Sequence, residues 1–236
     1  MADIENTNPG MNNLEDAPLA SLKSTFNVSE FADDAADPSD AAAGAKSLAD
    51  RLTDSKPVAR KAAYAEVVAL FAQGGADAAA AFEQYASFLK KMLLDNASLC
   101  HEAALDAAVA FAKGAPSEAV PAVASAVANA VVEKHAPTPK LQTKAVEALV
   151  AYAQISGAAS AVHGALVSGA AHKVPKVRGA AAKALAAVLR ECGAEGLELK
   201  AACGVLLGLI EHRDKAVRDE GLALLGELRV AKGDDA

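Results

Sequence analysis

Five stretches of this chain repeat one pattern at nearly constant spacing, and that repeat limits the fold more than any other feature. They are "DSKPVARKAAYAEVVALF", "DNASLCHEAALDAAVAFA", "TPKLQTKAVEALVAYA", "KVPKVRGAAAKALAAVL" and "RDKAVRDEGLALLGEL". Each has a polar or Pro-containing turn, an aliphatic residue, a polar or Arg position, and then a helix that opens with small residues. The slot held by Arg60, Cys100, Gln142, Arg178 and Arg218 recurs at intervals of 40, 42, 36 and 40 residues. An interval of that length has room for two helices and two turns. One helix pair cannot bury its own apolar stripe, so neighbouring pairs must stack.

Between the turns, apolar residues recur at three and four: Leu48 and Leu52, then Tyr64, Val67, Val68 and Phe71, then Phe82, Tyr85, Phe88, Leu89 and Met92. That period belongs to amphipathic helices, and no segment alternates convincingly with period two. Small residues after each turn, as in "GAAAKALAA", let paired helices approach closely. The expectation is an all-α chain, an α-solenoid of about six hairpins with the period and content of HEAT repeats, over residues 47–231. Residues 1–46, polar and acidic with little periodicity, are expected to be a disordered lead, and 232–236 a flexible end.

Composition then removes several functions. Residues 1–50 carry ten acidic and two basic residues, whereas residues 51–236 carry twenty acidic and twenty-one basic ones. The net charge of −7 thus belongs to the lead, and the repeat region is close to neutral. A nucleic-acid binder needs a basic excess on its folded part, so nucleic acid is not an expected partner. Cys100, Cys192 and Cys203 are far apart and show no C-x-x-C spacing, which points to a reducing compartment. The N-terminus has no secretory h-region and no stretch is long and apolar enough for a membrane span, so a cytoplasmic location is expected. The five histidines are dispersed, and no phosphate loop, nucleophile elbow or zinc helix motif occurs. Catalytic, cofactor-binding and metal residues are therefore expected to be none.

The turns themselves are the natural binding edge of a solenoid, because stacked helices hold them in a row about 10 Å apart. Cations recur there: Lys56 on the first, Lys140 on the third, Lys173 and Lys176 on the fourth, Lys215 and Arg218 on the fifth. The second turn is neutral and offers Asn96 and Leu99. Such a row suits an extended acidic partner surface. In "EHRDKAVRDEGLAL" (211–224), Asp214 fits a helix N-cap, but Lys215 and Arg218 sit where the helix dipole disfavours cations, which marks them for a partner. The competing assignment is an internal ladder, in which Arg60, Arg178 and Arg218 pair with Asp54, Asp95 and Asp214.

The ordered set of turns resembles the TOG domains of the microtubule polymerases and CLASP proteins. "HRDKAVRDEGLALLGEL" is similar to their fifth-repeat turn, "LLDNASLCHEAALDAAVAF" to the second, "VPKVRGA" to the fourth and "RLTDSKPVARKAAYAEV" to the first. The resemblance implies a slab whose turn edge binds one curved αβ-tubulin dimer, the first turns meeting β-tubulin and the fourth and fifth α-tubulin. Carried over by position, the tubulin-binding residues are Pro57, Val58, Asn96, Leu99, Lys140, Lys173, Lys176, Lys215 and Arg218. It also implies a location on microtubules, at the spindle or a microtubule-organising centre, and a monomeric unit of the kind used in multi-TOG arrays.

One departure stands out. Polymerase-type TOG domains usually carry a Trp followed by a basic residue on the first turn, and this chain has no Trp. Pro57 and Val58 occupy those positions. A buried aromatic anchor is the kind of contact that carries an interface. The alternative expectation is accordingly a HEAT scaffold or adaptor for another protein, with weak or no binding of free tubulin.

Overall fold

Among the described residues, the first helix starts where the Ser47 hydroxyl accepts the amide of Asp50 (3.2 Å) and caps α1, Leu48–Arg51. The structure, a computed structural model, describes residues 46–73 and 75–233. The expected disordered lead, save Lys46, and the last three residues of the expected flexible end lie outside the described residues. Among the described residues every regular element is helical. After α1 come α2 (Pro57–Gln73), α3 (Gly75–Tyr85), α4 (Leu89–Leu93), α5 (Ser98–Gly114) and α6 (Val120–Ala130). They are followed by α7 (Gln142–Ala153), α8 (Ala159–Ala170), α9 (Pro175–Cys192), α10 (Leu199–Ile210) and α11 (Lys215–Lys232).

These helices form two layers. In the first, α2, α5, α7, α9 and α11 lie side by side, each packed on the next. In the second, α4, α6, α8 and α10 do the same. Each second-layer helix packs on the first-layer helix that follows it in the chain, and α1 packs on α2. The described residues hold five such pairs of the about six hairpins expected. All five turns within pairs therefore fall on one edge.

The sequence explains the packing. α9 touches α7, α8 and α11, and so must be apolar on most of its circumference. It buries Ala180, Ala181, Ala182, Ala184 and Ala186 beside Leu185, Val188 and Leu189. Alanine there allows three neighbours close approach without the rotamer entropy of longer side chains. At the other end of the solenoid, where α2, α3 and α5 meet, space is filled by aromatics. The rings of Phe71 and Phe82 stack at 4.8 Å, and Phe111 meets both edge-on at 5.5 and 5.6 Å.

One irregularity positions the middle of the edge. α6 continues into a π-helical turn, Val131–His135. The extra residue per turn aims two consecutive side chains at the C-terminal end of α4. Buried His135 places Nε2 2.7 Å from the Leu93 carbonyl, while Lys134 Nζ donates to the carbonyls of Leu94 (2.8 Å) and Asp95 (2.5 Å). A helix end leaves its last carbonyls without intrahelical partners and favours a nearby cation. Here the next repeat supplies both. Burial pulls the His135 imidazole down to about 4, so it is neutral and donates through Nε2.

Candidate functional site

Each turn on the edge is built by a cassette of seven residues in the same register: Asp54–Arg60, Asp95–His101, Ala136–Gln142, His172–Arg178 and His212–Arg218. The last side chain of each cassette reaches back to the carbonyl of its first residue. Arg60 Nη1 donates to Asp54 O (2.7 Å), Arg178 Nε to His172 O (3.0 Å) and Arg218 Nη1 to His212 O (2.8 Å). His101 Nε2 lies 2.7 Å from Asp95 O, and Gln142 Nε2 donates to Ala136 O at 3.4 Å. The first side chain accepts the amide two residues on in four of the five. Asp54 takes the Lys56 amide (2.9 Å), Asp95 that of Ala97 (2.8 Å), His172 that of Val174 (3.1 Å) and His212 that of Asp214 (3.0 Å). Ala136 has no acceptor to offer, and its turn carries two prolines, Pro137 and Pro139. These bonds satisfy the orphan groups of the turn and hold its outer residues in fixed positions.

The arginine positions thus prove structural, but by a different route from the expected ladder. Among the described residues, of these three arginines only Arg60 reaches an aspartate of the next repeat: its Nε and Nη2 hold Asp95 Oδ2 and Oδ1 at 2.6 and 2.8 Å. Tyr64 OH donates to the same carboxylate at 2.8 Å. Arg60's hydrogen bonds hold the buried Asp95 well below the usual carboxylate range, with the Ala97 amide and Tyr64 contributing. Arg178 and Arg218 bind turn carbonyls, and no aspartate among the described residues. Asp214 caps α11 by accepting the Ala216 amide at 3.0 Å. Asp54 is held down to about 2, chiefly by Lys46, whose Nζ is 2.7 Å away.

The cassette also shows which residues are equivalent. Its fifth position is Val58, Leu99, Lys140, Lys176 and Ala216, all exposed, Val58 to 70% and Leu99 to 46%. The edge is therefore graded, aliphatic at turns one and two and cationic at turns three and four. The second position holds Asn96, Lys173 and, unforeseen from the sequence, Arg213, each exposed. Pro57 and Lys215 share the fourth position, the first residue of their helices. Lys140, Lys173 and Lys176 have no ion-pair or hydrogen-bond partner among the described residues, whereas Lys215 Nζ meets Asp219 at 2.6 Å, one helical turn on. Arg218 is half-buried, with Nη1 committed to two carbonyls. Arg213 carried a signal: it is the cation directly after the first cassette residue, as Lys173 is in turn four.

A two-layer helical slab with this edge matches known proteins. The family model for the XMAP215/Dis1/CLASP TOG domain covers residues 44–236. The chain belongs to the XMAP215/Dis1/CLASP TOG-domain family. It is 31% identical over 172 residues to the protein mini spindles of Drosophila melanogaster, a match that takes in 72% of this chain and 8% of that protein. Among solved structures, one of tubulin recruitment and assembly by microtubule polymerases with TOG-domain arrays aligns with a TM-score of 0.67 at 19% identity, over 76% of this chain and 39% of that one. A structure from work on microtubule plus-end tracking by XMAP215, CLIP-170 and EB1 aligns with a TM-score of 0.66 at 24% identity, over 80% of each chain. The third TOG domain of Drosophila mini spindles gives 0.64 at 20% identity, over 79% of this chain and 82% of that one. At these identities the structural likeness speaks for the fold.

Proposed function

We propose that this TOG domain binds αβ-tubulin through the graded turn edge and so acts on microtubule growth or dynamics. The observation that carries the reading is the equivalence of Val58, Leu99, Lys140 and Lys176, one residue type giving way to another along a rigid row. Aliphatic turns suit an apolar patch on one subunit, and unpaired lysines suit an acidic surface on the other. Pro57, Asn96, Lys173, Lys215 and Arg213 flank the row and extend the contact. Arg218 works from behind by fixing the fifth turn. A rigid row fitted to curved tubulin favours the free dimer over the straight lattice only by its difference in affinity for the two. The place of action that follows is the microtubule cytoskeleton.

The test is analytical size exclusion of the chain with αβ-tubulin at low and moderate salt. Co-migration that weakens with salt is expected, since exposed cations lose their pull as the screening length shrinks. Separate elution at both salt levels, with the chain folded, contradicts the reading. A second reading is favoured by one observation, the Pro57–Val58 pair standing where a Trp and a cation serve other polymerase-type domains. In it the same edge is a scaffold surface for another protein, and free tubulin binds weakly or not at all.

A further inference from the structure

Turns three, four and five do more than align cations. They bound a groove of about 490 Å³ that opens over α7, α9 and α11. Its floor is apolar, made by Pro137, Pro139, Val174, Pro175, Ala180 and Val217. Val174 is 41% exposed, a large aliphatic group open to water at the mouth of a concave site. Lys176 and Lys183 line the groove, and Lys140 and Lys173 adjoin it through Pro139 and Val174. Carboxylates are present only on the α11 wall, as Asp214 and Glu220, and Asp214 is engaged with its own helix. Charge and apolar surface therefore lie next to each other in a fixed order.

We propose that this groove takes an extended acidic peptide segment carrying one bulky apolar side chain. The carboxylates lie along Lys140, Lys173 and Lys176, and the apolar side chain enters over Val174 and Val217. Its volume falls within the range of about 300–1,000 Å³ that suits a few residues rather than a whole helix. Two features argue against a nucleic-acid strand: the floor has no aromatic ring for base stacking, and the α11 wall is acidic. A small phosphate is disfavoured because the lysines are spread over two turns instead of converging on one point. This inference rests on reading the turn edge as a partner surface, but not on that partner being tubulin.

Gly179 gives a clean way to close the groove. It lines the site, and a Cβ added there meets its nearest atom, Val217 Cγ2, at 3.6 Å, an ordinary contact. Gly179→Gln thus fills the groove while leaving every lysine and the helix in place. The experiment is fluorescence anisotropy of the full chain with a labelled peptide of four glutamates, a phenylalanine and four glutamates, against the same peptide with serine at its centre. Circular dichroism verifies that each variant is folded. Binding of the phenylalanine peptide is expected to exceed that of the serine peptide about tenfold, from burial of one ring. Gly179→Gln and Lys176→Glu are each expected to weaken it about fivefold or more, and Lys90→Glu on α4 to leave it unchanged.

No binding by the wild type up to about 1 mM, equal binding of the two peptides, or full affinity in Gly179→Gln overturns the proposal. A chain that co-migrates with αβ-tubulin yet ignores the peptide overturns the groove alone. Peptide binding without co-migration keeps the groove and removes tubulin as the partner.

Discussion

Three repeats meet on Asp95. Its carboxylate holds Arg60 and Tyr64 from the first pair and the Ala97 amide of its own turn, and its carbonyl takes Lys134 from the third. Removing one member of a buried, hydrogen-bonded ion pair leaves the other uncompensated. Asp95→Asn is expected to cost about 3 kcal/mol in urea denaturation, whereas Lys215→Ala, which breaks an exposed pair on one helix, is expected to cost about 0.5 kcal/mol or less. Acid has its own signature here. His135 titrates near 4 in the folded state, below its unfolded value of about 6.5. The unfolded chain therefore binds the proton first. Stability is unaffected above about pH 6.5 and falls as pH drops from there towards 4, by about 3 kcal/mol at most from this residue. His163, whose pKa is also lowered by burial, adds to the same slope. His135→Gln keeps a donor for the Leu93 carbonyl and is expected to make the pH 7 to pH 5 loss of stability shallower; an unchanged slope contradicts the assignment.

Between elements, Gly169 marks a point where helices come close. A Cβ at Gly169 of α8 would clash with Val132 Cγ1 and lie 2.8 Å from Ala181 Cβ on α9. At Gly226 of α11 it would meet nothing within 4 Å. Gly169→Ala is expected to lower stability by about 1–3 kcal/mol through overpacking, and Gly226→Ala to raise it by up to about 1 kcal/mol through helix propensity. Thermal denaturation of the two variants side by side checks both signs.

The helices and their stacking were legible in the sequence because a 3.6-residue period and a 40-residue repeat are local properties. In the second repeat the slot falls on His101, one residue past the Cys100 that the spacing selects. Cys100 points its Sγ at the Pro57 carbonyl, 3.3 Å away, and His101 makes the bond that defines the cassette. The contacts of Lys134 and His135 with α4 were not legible, since they depend on a π turn that no apolar period reveals. The partners of Arg178 and Arg218 are illegible for a related reason: backbone carbonyls leave no mark in a sequence.

At the scale of the whole molecule, the solenoid converts five small local devices into one surface. Each cassette fixes its own turn, the two layers fix the cassettes relative to one another, and the result is an edge that passes from aliphatic to cationic along its length. A single TOG domain of this form offers one such edge, and so is expected to hold one tubulin dimer. The most direct measurement is sedimentation of the chain with αβ-tubulin, comparing Lys140→Glu/Lys176→Glu with Lys200→Glu/Lys232→Glu, which makes the same change of charge on exposed lysines at the ends of α10 and α11 away from turn five. Turn-edge binding predicts that the first pair weakens the complex about tenfold or more while the second leaves it within about twofold of the wild type. Equal losses from both pairs would show a non-specific charge effect and contradict the account.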